Sequence, residues 1–151
     1  MNKTTQGAVL GRIRTTYPRL LRILVPMDFS GKSRQALRYA VPLAVRFSAR
    51  IHLVHVLPPE TRSPDRLRKA RMDALRRLGR SAEILLPKSV RAETAVVSGR
   101  AADQILALAT ANDIDLIVLA IKTDGTKGRR PGTAETILRR ATCPVMSIRR
   151  H

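Results

Sequence analysis

The sequence predicts an α/β protein: a doubly wound, five-stranded parallel sheet with helices on both faces. Three observations lead there. Short apolar runs rich in β-branched residues, such as Leu116 to Ala120, alternate with longer stretches of helical periodicity. The resulting order, βαβαβαβαβ, demands parallel strands joined by right-handed crossovers, with the sheet covered on both sides. The length of 151 residues suits one domain whose core needs no disulfide or metal staple. A strand order of 3-2-1-4-5 is the simplest doubly wound arrangement. It would place a ligand crevice between strands one and four, beyond their carboxyl ends.

The elements follow in order. Residues 1–20 hold Lys3, Arg12, Arg14 and Arg19 and no acid, since the first acidic residue is Asp28. The composition is that of a transit peptide. The first strand starts immediately afterwards, which favours a mobile basic arm ahead of a domain spanning 21–151. Leu21 to Pro26 is that strand, and the turn MDFSGKS follows it. Ser30 or Ser33 can cap the next helix, Ser33 to Phe47. Its inner face is Ala36, Leu37, Ala40, Leu43, Ala44 and Phe47. Pro42 lies inside it and is expected to kink it by removing the bond to the Arg38 carbonyl. Ile51 to Leu57 is the second strand, and Pro58, Pro59 and Pro64 mark an exposed connection.

A second helix runs from Asp65 to Leu85, with Leu67, Ala74, Leu75, Leu78 and Ala82 near one face. Its basic stripe, Arg66, Lys69, Arg76, Arg77 and Arg80, is read as a solvated face in preference to a nucleic-acid surface. Ala92 to Val97 is the third strand, Ala101 to Ala111 a helix and Leu116 to Ala120 the fourth strand. The loop from Lys122 to Pro131 carries Gly125, Gly128 and the cations Lys122, Lys127, Arg129 and Arg130. Thr133 to Arg140 is the last helix, with the Thr133 hydroxyl as its cap and Glu135 in its first turn. Pro144 to Ile148 is the fifth strand. Strand, glycine-bearing loop and helix N-terminus form a layout in which free backbone N–H groups face an anion.

Composition narrows the partners. There are 29 Lys and Arg against 11 Asp and Glu, a net charge of +18. Such a surface attracts polyanions without choosing among them. The single cysteine, Cys143, excludes an intrachain disulfide and is read as a small, partly buried apolar residue. No apolar run approaches the roughly 20 residues that span a bilayer.

The blocks VPMDFSGKSRQALRYA, ARIHLVHVLPP and DLIVLA…GTAETILRRATCPVMSIRR occur in the order seen in universal stress protein domains. From Arg22 to Arg149 the chain resembles a single domain of that family, of the UspA type. The resemblance implies a doubly wound sheet, cytoplasmic residence, frequent homodimers and, in many members, bound ATP. The family's ATP motif is G-x-x-G, nine residues, then G-[S/T]. Ala120 stands where its first glycine belongs and Thr123 where its second belongs. Gly132 and Thr133 match the closing pair, but only eight residues, Asp124 to Pro131, separate them from Thr123. Pro26 and Asp28 match adenine-side positions after strand one, and Val56 another at the end of strand two. The base side is therefore retained and the phosphate side altered. A methyl group at Ala120 crowds a close backbone approach, and β-branched Thr123 resists φ > 0. Lys127 and Arg129, with Arg130 and the glycines 125 and 128, offer a rebuilt loop with charge-assisted contacts.

The resulting expectation is a dimeric stress-response regulator with a degenerate adenine-nucleotide site and weak or absent ATP binding. Its dimer contact is the C-terminal strand. The alternatives are a basic nucleic-acid-binding protein, an ATP-binding protein using the rebuilt loop, or a weak ATP hydrolase. The hydrolase is disfavoured: His52 and His55 lie on a strand, no metal-ligand cluster is apparent, and no Walker lysine motif occurs. Sequence-specific nucleic-acid recognition lacks aromatic platforms, with only Tyr17, Phe29, Tyr39 and Phe47 available. Non-specific polyanion contacts remain in keeping with the charge.

Overall fold

The structure, a computed structural model, describes residues 17–121 and 131–149. Along the chain it runs β1 (Arg22–Pro26), α1 (Gly31–Phe47), β2 (Arg50–Leu57), α2 (Pro64–Leu85), β3 (Ala92–Ser98), α3 (Ala101–Ala111), β4 (Leu116–Ala120), α4 (Thr133–Arg140) and β5 (Val145–Ile148). The strands form one parallel sheet in the order β3-β2-β1-β4-β5. This is the order expected of the doubly wound arrangement. The basic arm lies almost wholly outside the described residues, and so does most of the loop after β4.

Alternation along the strands divides the core in two. Ile23, Val25, Ile51, Leu53 and Val118 meet Ala36, Leu37 and Ala40 of α1 and Leu78 of α2 on one face. Leu24, Val54, Ile117 and Leu119 meet Ile105 of α3 and Ile137 of α4 on the other. Each fully buried aliphatic side chain contributes about 1.5–3 kcal/mol relative to exposure, so the central strands hold the molecule together.

Local chemistry sets the element ends. Ser30 is the cap of α1: its hydroxyl accepts from the Ser33 N–H at 3.2 Å. The helix continues unbroken through Pro42 to Phe47. Pro42 is exposed, so the Arg38 carbonyl deprived of its partner lies on the solvent side. Phe47 is 53% exposed and does not join the inner face. It ends the helix, next to Ser48 in the left-handed region, beyond the reach of the sheet. Leu75 is likewise at the rim of its stripe, at 37% exposure. Asp115 ties the start of β1 in place, its Oδ2 accepting from the Leu21 and Arg22 amides at 2.9 Å each. Gly99 must be glycine: its φ is +140°, and a Cβ would meet Gln104 at 2.9 Å.

Candidate functional site

In a parallel sheet every helix that follows a strand points its N-terminus toward the carboxyl edge. Here three such ends, those of α1, α3 and α4, meet over β1, β2 and β4 around a cavity of about 530 Å³. Each end contributes positive potential from unpaired amides. The α1 end supplies Ser30, Lys32 and Ser33, and the α4 end supplies Gly132, Thr133 and Glu135. The apolar wall comes from Val54, Val56, Ile105, Leu119 and Ile137. A compact apolar slot beside several helix ends suits a ligand with a flat apolar part and an anionic part.

Six of the nine residues singled out by sequence line this cavity: Pro26, Asp28, Val56, Ala120, Gly132 and Thr133. The other three, Thr123, Lys127 and Arg129, lie outside the described residues. Two details differ from the sequence reading. Gly132, not Thr133, occupies the N-cap of α4, and no side chain caps that end. The helix starts at Thr133 itself, so its hydroxyl sits inside the first turn, past the capping position. Gly132 also has no internal reason to be glycine: its φ is −69°, and a Cβ would meet nothing within 4 Å. Glu135 puts a carboxylate on the cavity wall, and Arg139 offsets it through a 2.7 Å hydrogen bond.

The turn after β1 is held firmly. Met27 is buried, and its amide donates to the Val54 carbonyl at 2.7 Å. Its own carbonyl accepts from His55 Nδ1–H at 2.7 Å. Asp28 Oδ1 accepts from the Ser30 amide at 2.9 Å. Between them Phe29 adopts φ 63°, unfavourable for an aromatic residue. Two contacts hold it there: the His55 ring at 4.6 Å between centroids and the Arg77 guanidinium 4.0 Å above its face. His55 is thus a fastener of the Asp28 turn. Sequence reasoning missed Lys32, Ser33 and Ile105 as cavity residues. The signal for Lys32 was present: a lysine in the first turn after strand one must sit at the carboxyl edge of the sheet.

The remaining candidates carry no visible chemistry. His52 is 8% exposed, and burial lowers its pKa against the opposing pull of Glu93. Its Nδ1 faces Glu93 Oε2 at 3.4 Å, while Nε2 has no partner among the described residues. Burial raises the Cys143 pKa, in keeping with a small, partly buried apolar residue. Among the described residues, no His, Cys, Asp or Glu cluster could hold a metal. No described helix is long and apolar enough to cross a membrane.

Comparison with known proteins fits this geometry. Residues 20–149 match the universal stress protein family. The chain belongs to the universal stress protein family. A universal stress protein of Methanocaldococcus jannaschii is 26% identical over 144 residues, covering 85% of this chain and 82% of that one. A universal stress protein solved in complex with cAMP superposes with a TM-score of 0.71 at 21% identity, over 87% of this chain and 98% of that one. One from Archaeoglobus fulgidus, solved with dAMP, gives 0.66 at 21% identity, over 87% and 99%. The universal stress protein fold of this chain is therefore shared by proteins that hold adenine nucleotides.

Proposed function

We propose that this universal stress protein is a dimeric stress-response regulator of the cytoplasm whose carboxyl-edge cavity takes an adenine nucleotide weakly. The domain responsible is 21–151, with 1–20 as a basic arm. The observation that carries the reading is the convergence of Pro26, Asp28, Val56, Ala120, Gly132 and Thr133 on one cavity with an uncapped helix end. The nucleotides held by the two related proteins support adenine as the base. The base lies against Val56 and beside Asp28, between the wall of β2 and the turn after β1. The phosphates point to the first-turn amides of α4, with Lys32 on the opposite rim.

Affinity is limited on the phosphate side. Ala120 and Thr123 replace two glycines whose backbones would approach the phosphates closely. Each buried hydrogen bond lost to poor geometry costs roughly 1–3 kcal/mol. Lys127 and Arg129 offset part of this, but salt weakens charge contacts of this kind. The reading is of a protein that acts by binding, since Asp28 and His55 beside the cavity serve the turn after β1, accepting from the Ser30 amide and donating to the Met27 carbonyl.

Calorimetry tests the reading. The wild type should bind ATP weakly, and Ala120→Gly with Thr123→Gly should tighten binding by on the order of 30-fold or more. Tight binding by the wild type that the double change leaves unaltered would show that the loop cations have replaced the glycines. No binding of any adenine nucleotide by either protein would remove the base pocket from the account.

A further inference from the structure

The other end of the sheet carries a second cavity, of about 410 Å³, lined chiefly by Leu21, Arg22, Ser48, Arg50, Ser89 and Arg91. Its three arginines form a row. Arg22 pairs with Arg50 across β1 and β2. Ile51 pairs with Ala92 across β2 and β3, so Arg91, one residue earlier, falls beside Arg50. The Ile51 amide confirms the alignment by donating to the Arg91 carbonyl at 2.9 Å.

Two acids meet this row: Asp115 Oδ2 accepts from the Arg22 amide at 2.9 Å, and Glu93 reaches Arg50. The Glu93 carboxylate is hydrogen-bonded to Arg50 and faces His52, so its charge is already engaged. Among the described residues, neither Arg22 nor Arg91 has an ion pair. Like charges opposite one another on neighbouring strands destabilise a sheet. Glu93 offsets the middle of the row, and an anion bound among the three guanidinium groups would offset the repulsion that is left.

We propose that this cavity, at the amino ends of β1, β2 and β3, binds a compact phosphate-bearing anion through Arg22, Arg50 and Arg91. The planar fork of arginine matches phosphate oxygens in pairs. Ser48 and Ser89 bring hydroxyls to the same concavity, and Ser48 holds φ 54°, a turn conformation unfavourable for serine. Three cations around one hollow favour a small multivalent anion. An extended nucleic-acid backbone would be met by cations strung along a track. The site lies across the sheet from the nucleotide cavity and does not depend on that cavity's function.

Pyrophosphate is the probe, with inorganic phosphate and a short single-stranded oligonucleotide as the other arms. Pyrophosphate should bind, raise the melting temperature and bind more tightly than inorganic phosphate. Arg22→Gln with Arg91→Gln should weaken it by about tenfold or more, since each charged hydrogen bond is strong. Without ligand this variant should melt no lower than the wild type, because repulsion is relieved. Gly132→Val, which crowds the other cavity, should leave pyrophosphate binding intact. Three results would each overturn the proposal: binding unchanged in the arginine variant, binding lost in Gly132→Val, or arginine-dependent binding of the oligonucleotide without binding of pyrophosphate.

Discussion

At the residue scale, the least comfortable backbone lies beside the carboxyl-edge cavity. Phe29 sits at φ 63° because His55 and Arg77 hold its ring and His55 pins the Met27 carbonyl. Positive φ in a bulky residue costs of order 1–3 kcal/mol and persists only where its surroundings enforce it. His55→Ala should therefore lower stability by about 1–2 kcal/mol, read as a shift in urea midpoint. It should also weaken adenine-nucleotide binding, because the Asp28 turn loses its fastener. His52 makes a different prediction. Burial lowers its pKa below the ordinary 6.5, while Glu93 raises it and Arg50 and Arg22 lower it further. The unfolded chain then takes up a proton near pH 6.5 that the folded chain resists, so stability is full above that value and falls as pH drops through it. Thermal melts from about pH 7.5 down to 5.5 should show this decline, and His52→Leu should flatten it.

At the element scale, α1 carries a correctable defect. Pro42 interrupts the hydrogen-bond ladder of an otherwise regular helix, on its exposed side. Pro42→Ala should restore the bond to the Arg38 carbonyl without disturbing the core, stabilising the protein by about 1–3 kcal/mol. A melting temperature that falls instead would show that Pro42 has a packing role. The element also shows what a sequence can disclose. Apolar period and turn residues located all nine elements, and α3, β4 and α4 match to the residue, because burial on both faces leaves few alternatives. Boundaries such as Gly31 depended on which of two serines capped α1, a choice made by three-dimensional fit. Phe47 failed as a core residue because periodicity does not say where a helix outruns its sheet. For the site, the family resemblance pointed to one end of the cavity at Asp28, and the glycine-bearing loop before the last helix to the other at Gly132. Ile105 and the arginine row were harder to see, since only strand order and register bring them to their neighbours.

At the scale of the whole molecule, charge and an open edge pull in opposite directions. β5 lies at the margin of the sheet with one neighbour, β4, and so offers unpaired backbone groups. Val145, Met146 and Ile148 are only half-buried. Pairing of two β5 strands about a two-fold axis would cover both the backbone and these side chains. Against it stands a net charge of +18 on each chain, which two copies must bring together. The apolar part of the contact is indifferent to moderate salt, whereas the repulsion falls off within about 8 Å at physiological ionic strength. The expected result is a homodimer at micromolar concentration that tightens as salt rises. Anion binding at the arginine row and at the nucleotide cavity should weaken over the same range. Sedimentation across a salt series separates the two trends. Ser147→Lys, at the exposed position of β5, should abolish the dimer by placing a further cation in the contact, while leaving the fold intact. A monomer at every salt concentration would remove β5 as an interface. A dimer that dissociates as salt rises would mean that ion pairs, not strand pairing, hold the two chains together.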